Sequence, residues 1–242
     1  AFALRHELVL RGPEPIDEEV TDAINLLLYR HSAHMGRTTA ENLMRISDMM
    51  PASDYGSARN VAMWRGDVRE LAADAVVNAA MPNLLGCKDP LHPCIDNYIQ
   101  GQGGPWIRND CSVIREIQGK DQEVGDAVLT RGYRLPARYV LHTLGPHLNG
   151  GEITDEDREK LAACYTSCLD LALEKGDIHN VSFCALSTGR NNFPFEEATH
   201  IALDTVNQWL QYHGTDVIEL VVFNIFEDAD AEGYMQALES WV

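Results

Sequence analysis

The feature that most constrains this fold is an alternation of short apolar runs with helix-like segments, which begins at Asn60. The short runs predict β-strands at 61–64, 75–79, 127–130, 139–144, 181–186 and 217–225. The longer segments predict helices at 95–100, 105–117, 155–174, 195–212 and 228–241. Two of the runs, VSFCAL and VIELVVFNI, are apolar on both faces, as a sheet covered by helices on both sides requires. The alternation therefore predicts a three-layer α/β/α fold with a mixed, largely parallel central sheet.

Residues 1–60 lack this alternation and predict a helical N-terminal extension to a domain formed by residues 61–242. In PIDEEVTDAINLLLYRH, apolar residues recur at helical spacing, at Val20, Ile24, Leu27 and Leu28. A second helix is predicted at 39–50, with Thr39 as its N-cap and Pro51 ending it. The polar sequence SDYGSARN that follows is interpreted as a linker.

The charge and cysteine content limit the partners and the compartment of the protein. The chain has 37 acidic and 19 basic residues, an excess of 18 negative charges. Because proteins bind nucleic acids largely by neutralising phosphates with Lys and Arg, we expect no nucleic-acid partner. No apolar run approaches the roughly 20 residues that span a bilayer, and the sequence shows no signal-peptide pattern, so neither a membrane segment nor secretion is expected. The six cysteines lack the spacing of a disulfide framework, which predicts a reducing, cytoplasmic location.

Potential metal ligands are concentrated in the segment 78–97, NAAMPNLLGCKDPLHPCIDN, which joins a predicted strand to a predicted helix. Cys87, His92 and Cys94 lie within eight residues there, and Asp96 follows them. Thiolate and imidazole ligands suit Zn²⁺, and a closed zinc site that only folds the loop needs four protein ligands. Candidates for the fourth are His147, Cys111 and Asp96. Three protein ligands with an open position would instead let the metal contact substrate or water.

Three further loops follow predicted strands, and in an open α/β sheet such loops form the ligand site. The Gly-Asp-Val turn at 66–68 either only turns the chain or offers a carboxylate to an exocyclic amine such as that of adenine. The loop 187–193, STGRNNF, is either a simple strand-to-helix turn or a set of N–H donors for a pyrophosphate. Asn224 and Phe226 end the last strand, where Phe226 is either a core residue or a stacking face.

Three other features are interpreted as structural. The GQGG sequence at 101–104 follows a helix and lacks the spacing of phosphate-binding loops, so it predicts a helix break. His142 lies inside a predicted strand, which favours a buried core histidine over a catalyst. Ser187 has no His and Asp partners at a nucleophile elbow, which disfavours a serine hydrolase.

Six motifs, taken in their order, resemble those of a macrodomain, the ADP-ribose-binding α/β/α module, over about residues 61–241. They are RGDV at 65–68, DAVVNAA at 74–80, LLG at 84–86, CID at 94–96, RGYRLPARYVLHTLGP at 131–146 and STGRNNFPFEEA at 187–198. Ordinary catalytic macrodomains carry a run of glycines after LLG, whereas this chain has GCKDPLHPC, which resembles the zinc-containing macrodomains. Those are hydrolases, often encoded beside ADP-ribosyl-transferring sirtuins in microbes, and a helical N-terminal extension is typical of them.

The resemblance implies a zinc-dependent hydrolase that removes mono-ADP-ribose from modified protein side chains. The bond that it breaks would be an ester to Asp or Glu. Cys87, His92 and Cys94 would hold Zn²⁺ against the distal ribose, and Asp96 matches the family's catalytic carboxylate. The remaining ADP-ribose contacts would come from Asp67, Val68, Asn78, Asn83, Ser187, Thr188, Gly189, Arg190, Asn191, Asn192, Phe193, Asn224 and Phe226. The implied partners are ADP-ribose, mono-ADP-ribosylated protein and a sirtuin-type ADP-ribosyltransferase system.

Within this resemblance each part of the ligand has its own contacts. Asp67 would accept a hydrogen bond from the adenine amine, with the Val68 N–H nearby. The loop 187–193 would wrap the pyrophosphate and the distal ribose, while Asn224 and Phe226 would lie at the adenosine end.

One position departs from the family pattern. The family sequence NAAN, whose second Asn contacts the distal ribose, reads NAAM here, with Met81 in the last place. Either Asn83 or the zinc contacts the distal ribose in place of that Asn, or the hydrolase activity is weakened or redirected. Two alternative functions therefore stay open: a non-catalytic ADP-ribose-binding reader and an O-acetyl-ADP-ribose deacetylase.

Overall fold

The structure is a computed structural model that describes residues 2–148, 150 and 152–241. Its helices are α1 (Phe2–Leu10), α2 (Glu18–Ser32), α3 (Ile46–Met49), α4 (Ile95–Gly103), α5 (Pro105–Gln118), α6 (Asp155–Lys175), α7 (Phe195–His213) and α8 (Asp228–Glu239). Its strands are β1 (Thr38–Thr39), β2 (Val61–Arg65), β3 (Leu71–Ala72), β4 (Ala75–Ala79), β5 (Ala127–Arg131), β6 (Tyr139–Thr143), β7 (Asn180–Cys184) and β8 (Leu220–Ile225). None of the described helices is long and apolar enough to cross a membrane.

Six strands form the central sheet, in the order β2-β8-β7-β4-β6-β5. All neighbours are parallel except β5, which runs antiparallel to β6 at one edge. Strand β4 lies inside the sheet, where Ala75 pairs with Tyr139 of β6 and with Val181 of β7. The predicted mixed, largely parallel sheet is confirmed. Because the parallel strands share one direction, their carboxyl ends meet at one edge of the sheet.

Each face of the sheet is covered by its own core, which confirms the three-layer fold. Helices α6, α7 and α8 pack on one face, and α4 and α5 pack on the other. Successive residues of one strand enter opposite cores: Val77 and Phe223 belong to the first core, whereas Val76 and Val222 belong to the second. All four are essentially buried. This two-sided burial is the reason that apolar residues occupy successive positions of these strands.

The N-terminal region is helical, but its details differ from the prediction. Helix α2 has its predicted apolar stripe, of which Ile24 and Leu28 are buried while Val20 and Leu27 are half exposed. Helix α1 was not predicted. Together the two helices form a small third cluster, Leu8 with Ile24 and Leu28, beside Trp106 of α5.

The helix predicted at 39–50 is wrong. Thr38–Thr39 instead pairs in parallel with Leu71–Ala72, and only a short 3₁₀ turn and the four-residue helix α3 follow. Two adjacent β-branched residues favour a strand, and tertiary pairing outweighs the weak helical pattern here. The SDYGSARN segment is not a free linker either, because the Tyr55 hydroxyl donates to the Leu203 carbonyl oxygen (2.9 Å) and Tyr55 is buried in the first core. The predicted domain boundary at residue 60 stays a prediction.

Candidate active site

A cleft of about 690 Å³ opens at the carboxyl edge of the sheet. Its walls come from the loops after β2, β4, β6, β7 and β8 and from the first turns of α4 and α8. Most of the predicted site residues line it, namely Asp67, Val68, Cys87, His92, Cys94, Asp96, Ser187, Thr188, Gly189, Arg190, Asn191, Asn224 and Phe226. Four predicted ligand contacts do not line it: Asn78, Asn83, Asn192 and Phe193.

The cluster of Cys87, His92 and Cys94 lies in one wall of this cleft. The two sulfurs and one imidazole nitrogen lie within 4.8 Å of one another, and Cys87 Sγ is 3.7 Å from His92 Nδ1. Asn97 of α4 folds the loop, since its Nδ2 donates to the carbonyl oxygens of Asp89 (2.7 Å) and His92 (2.8 Å). Sequence reasoning did not single out Asn97, although an amide one turn inside a helix after a ligand loop is a signal for such a contact.

Two thiols and one imidazole are the donor set that Zn²⁺ prefers, so these residues fit the metal that the sequence predicts. The pKa of the Cys94 thiol is raised to about 12, chiefly by burial and to a smaller extent by the nearby Asp96 and Cys87. A cation that binds here must therefore displace protons from sulfur. Among the described residues, the group of mutually close metal-type ligands contains these three and no fourth.

The three candidates for a fourth ligand are engaged elsewhere. Cys111 is buried, with its Sγ 3.8 Å from His142 Nε2. His147 Nδ1 lies 3.3 Å from Asn191 Oδ1. Asp96 accepts hydrogen bonds on both of its oxygens.

Asp96 is a buried carboxylate at the start of α4, with only 2% of its surface exposed. Its Oδ1 accepts from Asn78 Nδ2 (2.9 Å) and from Gln100 Nε2 (3.4 Å), and its Oδ2 accepts from the Cys87 backbone N–H (2.6 Å). Burial raises the pKa of Asp96, and these three donors lower it. The effect of burial is larger, so the pKa stays above the ordinary value of an Asp. Asn78 therefore holds the carboxylate from behind and does not form the cleft wall itself.

His142 is the buried core histidine that its place in a strand predicts. Its Nε2 lies 2.9 Å from Thr130 Oγ1, and its Nδ1 lies 3.1 Å from Asn78 Nδ2. Burial lowers the pKa of His142 to about 3, so the ring is neutral at ordinary pH. A neutral imidazole behind Asn78 extends the hydrogen-bonded chain that begins at Asp96.

At the other end of the cleft, Asp67 pairs with Arg69. Asp67 Oδ1 accepts from the Arg69 backbone N–H (2.9 Å) and from Arg69 Nε (2.8 Å). Burial opposes ionisation of Asp67, but the Arg69 hydrogen bonds and charge prevail and hold its pKa below the usual range. Asp67 therefore caps a 3₁₀ turn and also lines the cleft, and its contact with an adenine amine stays a prediction.

Asn224 and Phe226 line the cleft together with Asp67, and their side chains are used differently. Asn224 Nδ2 donates to the Gly66 carbonyl oxygen (2.9 Å) and so ties β8 to the loop after β2. Phe226 is 60% exposed, which excludes the core alternative. Met81, which is 39% exposed, also lines the cleft, as do Tyr98 and Asp230, which sequence reasoning did not single out.

The loop 187–193 is folded tightly before helix α7. Ser187 and Asn192 have positive φ angles of 63° and 57°, and the Phe193 N–H donates to the Ser187 carbonyl oxygen (3.0 Å). Phe193 is an anchor in the core, which explains why it does not line the cleft, and Asn192 points to solvent. Ser187 Oγ is buried and has no partner among the described residues, so the cleft holds an unused donor. Arg190 Nη2 reaches Asp89 Oδ2 (3.5 Å) in the loop 80–94 between β4 and α4, which holds Cys87, His92 and Cys94 and is here called the metal-ligand loop.

Asn83 lies in the loop after β4, at the same edge of the sheet, but does not line the cleft. Its Oδ1 accepts from the Leu85 N–H (3.0 Å), which turns the chain ahead of Cys87. The expectation that Asn83 reaches a ribose therefore has no support in this geometry, because the side chain is used within its own loop.

A family model of the macro domain matches residues 77–202, which are 126 of the 242 residues. Together with the cleft at the carboxyl edge of a three-layer fold, this match shows that the chain belongs to the macro domain family.

Individual proteins of known name support the assignment. A protein-ADP-ribose hydrolase of Staphylococcus aureus (strain Mu50) is 43% identical over 179 residues, which are 74% of this chain and 66% of that protein. The matched region thus spans slightly less than two thirds of that relative. A probable bifunctional ADP-ribose hydrolase/ADP-ribosyltransferase of Fusarium oxysporum f. sp. cubense is 36% identical over 242 residues, which are 97% of this chain and 40% of that protein. A Trypanosoma brucei macrodomain crystallised with ADP-ribose matches this structure with a TM-score of 0.70 at 30% sequence identity. The match covers 96% of this chain and 94% of the T. brucei chain.

Proposed function

We propose that this macrodomain is a zinc-dependent ADP-ribosyl hydrolase that releases mono-ADP-ribose from an ester on an Asp or Glu side chain of a modified protein. The observation that carries the proposal is the presence of the Cys87, His92 and Cys94 cluster in the same cleft as Asp96. The S. aureus relative is named for hydrolysis of protein-linked ADP-ribose, and the T. brucei macrodomain was crystallised with ADP-ribose. Both support the reaction class and the ligand.

The cleft offers a separate contact for each part of ADP-ribose. The Asp67 carboxylate suits the adenine amine as an acceptor, and the exposed Phe226 ring suits the adenine face. The backbone N–H groups of the loop 187–193, with the unused Ser187 hydroxyl, suit the pyrophosphate. Local N–H donors are needed because the chain as a whole carries an excess of 18 negative charges and repels anions.

The distal ribose would lie at the metal-ligand loop, where the chemistry takes place. In the reaction, the bond between C1″ and the side-chain carboxylate oxygen breaks, and water supplies the new C1″ hydroxyl. When bound by Cys87, His92 and Cys94, Zn²⁺ supplies Lewis acidity toward a ribose hydroxyl or water. Asp96 orients the water and accepts its proton, and burial makes this carboxylate a stronger base than an exposed Asp. Asn78, Gln100 and the Cys87 N–H keep Asp96 in place during that transfer.

We further propose that the protein removes the ADP-ribose that an ADP-ribosyltransferase attaches. This transferase would be of the sirtuin type that the sequence resemblance implies. The name of the Fusarium relative joins a hydrolase and an ADP-ribosyltransferase, and this chain aligns with 40% of that protein. A reducing location such as the cytoplasm fits the proposal, since Cys87 and Cys94 are free thiols and must stay reduced to bind zinc.

The test is an assay of mono-ADP-ribosylated protein with the enzyme as purified, after zinc removal by a chelator with the metal content measured, and after zinc is restored. We expect activity to disappear with zinc and return with it. Asp96→Ala should lower kcat by about 10²–10⁴-fold, the usual size of an acid–base contribution, and should keep ADP-ribose affinity. Asp121→Ala, at an exposed residue outside the cleft, is the matched control.

Each contrary result points to a different error. Full activity after verified zinc removal would exclude the metal role. Tight ADP-ribose binding without release from any acidic-residue linkage would favour the reader, which Met81 in the cleft wall motivates. Faster turnover of O-acetyl-ADP-ribose than of modified protein would favour the deacetylase.

A further inference from the structure

Arg108 of α5 is a buried arginine with 4% of its surface exposed, and it forms no ion pair among the described residues. Its Nη1 donates to the carbonyl oxygens of Leu8 and Arg11, each at 2.6 Å. These carbonyls lie at the C-terminal end of α1, where a helix has no partners of its own for its last acceptors. Arg108 therefore caps the N-terminal helix from a position 100 residues further along the chain.

The other side of the same guanidinium touches the metal-ligand loop. Gly86 has a φ of +84°, and a methyl group built on it would lie 2.9 Å from Arg108 Nη2. Gly86 directly precedes Cys87, whose N–H donates to Asp96 Oδ2 (2.6 Å). The Gly86–Cys87 segment is therefore held between Arg108, which it contacts through Gly86, and Asp96, which it contacts through Cys87.

Helix α1 also contacts α4, the helix that begins with Asp96. Arg5 Nη2 donates to Gln102 Oε1 (2.9 Å). A methyl group on Gly101 would lie 3.5 Å from Arg5 Cγ, an ordinary van der Waals distance, so the Arg5 side chain packs over Gly101. The N-terminal helix thus packs against α4, which follows the Cys87, His92 and Cys94 cluster, and is joined through Arg108 to Gly86, which precedes it.

Packing alone does not account for a guanidinium at this place. Burying a charge is costly, and the nearby Asp96 carboxylate offsets only part of that cost for Arg108, whereas a methionine of similar length would fill the space without the desolvation penalty. The Nη1 donor of Arg108 is nevertheless used by the end of α1, while its Nη2 lies beside Gly86 and its buried Nε has no partner among the described residues.

We propose that Arg108 is a positioning residue of the active site, which fixes the Gly86–Cys87 segment against the end of α1 and so sets the arrangement of the metal cluster. This inference rests on the proposed function, because it assumes that the cluster binds zinc. The N-terminal helix is then a working part of the catalytic end of the cleft. Residues that orient metal ligands without binding the metal typically change metal affinity or activity by about 10–100-fold when removed.

The test compares Arg108→Met with Arg108→Lys and with Arg115→Met, a control on the same helix at a side chain that is 44% exposed. Zinc affinity is measured by competition with a chromophoric chelator, alongside ADP-ribose affinity, kcat and KM, and the thermal unfolding temperature. For Arg108→Met we expect zinc affinity and kcat each to fall by about tenfold or more, with ADP-ribose affinity and KM unchanged. Arg108→Lys should show an intermediate loss, because it keeps a cationic donor, and Arg115→Met should match the wild type.

The outcomes separate the inference from the proposed function. If Arg108→Met lowers only the unfolding temperature, or lowers zinc and ADP-ribose affinity equally, Arg108 is merely structural and the inference is wrong. If Arg108→Met does not fold, the same readouts on Arg108→Lys decide, and wild-type zinc affinity in that variant overturns the inference. A wild-type chain that binds no zinc contradicts the proposed function itself and takes the inference with it.

Discussion

The cleft end that holds Asp96 is buried and fixed by side chains from several elements, whereas the end that holds Phe226 is open to solvent. Asp96 receives donors from β4, from α4 and from the metal-ligand loop. Asp67 receives its side-chain donors from one residue, Arg69, and Phe226 is 60% exposed. Fixed polar groups at one end lower the reorganisation that a reaction requires, and an exposed aromatic face at the other offers contact area. We infer that the buried end determines turnover and the open end determines affinity.

The largest expected effect follows from Asn97→Ala at the buried end. This change removes two hydrogen bonds to the carbonyl oxygens of Asp89 and His92, each of which keeps one backbone N–H donor. We expect a loss of about 2 kcal/mol in the free energy of unfolding, at about 1 kcal/mol for each bond. Zinc affinity should fall with it by about tenfold or more, while ADP-ribose affinity stays close to that of the wild type.

Denaturant unfolding and chelator competition measure these two quantities. Asn60→Ala is the control. Asn60 Nδ2 makes a single exposed hydrogen bond to the Glu219 carbonyl oxygen (3.0 Å), so this variant should lose much less free energy of unfolding. An equal loss of ADP-ribose affinity and zinc affinity in Asn97→Ala would mean that the two ends of the cleft are not independent.

A smaller effect is expected from Asp67→Ala at the open end. Loss of the acceptor for the adenine amine should weaken ADP-ribose binding by roughly tenfold, equivalent to about 1.4 kcal/mol. The value of kcat at saturating substrate should not change. Calorimetry with ADP-ribose and with its inosine analogue, which has a carbonyl oxygen in place of the amine, separates this contact from general damage. The analogue should bind wild type and variant alike, and a parallel loss for both ligands would refute the adenine contact.

A further effect at the buried end is a pH dependence of stability that originates at His142. The folded-state pKa of His142 is about 3, well below the usual value of about 6.5. Between these values the unfolded chain binds a proton that the folded chain does not, so the stability is complete above pH 6.5 and falls as the pH falls. The slope is up to about 1.4 kcal/mol per pH unit.

Equilibrium unfolding of wild type and His142→Asn between pH 7 and pH 5 measures this contribution. The variant should be less stable at pH 7, since it loses a buried ring, but its stability should fall less on acidification. His200→Asn, at an exposed histidine of α7, should keep the wild-type slope. An unchanged slope in His142→Asn would show that another group dominates the acid response.

The sheet and most of the cleft were predictable because they depend on patterns that are local in sequence. Apolar runs such as VIELVVFNI identify strands wherever they lie, and loops after parallel strands meet at one edge regardless of side-chain detail. Cys87, His92 and Cys94 were identifiable for the same reason, since all three ligands lie in one short loop.

The parts that escaped prediction depend on partners far apart in sequence. Arg108 has an ordinary position in an amphipathic helix, and only the fold brings it to Leu8 and Gly86. Thr39 was interpreted as a helix cap because its strand partner, Ala72, lies in another part of the chain. Asn78 and Phe193 were assigned to the ligand from motif position, although their side chains face the interior.

The contact between Arg190 and Asp89 has a consequence for access to the cleft. The two residues belong to opposite loops over the cleft, at 3.5 Å, and each side chain is more than half exposed. An exposed pair of this kind contributes at most about 1 kcal/mol, so thermal fluctuations open it often and dissolved salt weakens it further. In the proposed reaction, this pair would therefore do little to hold the two loops together when a polypeptide enters or leaves the cleft.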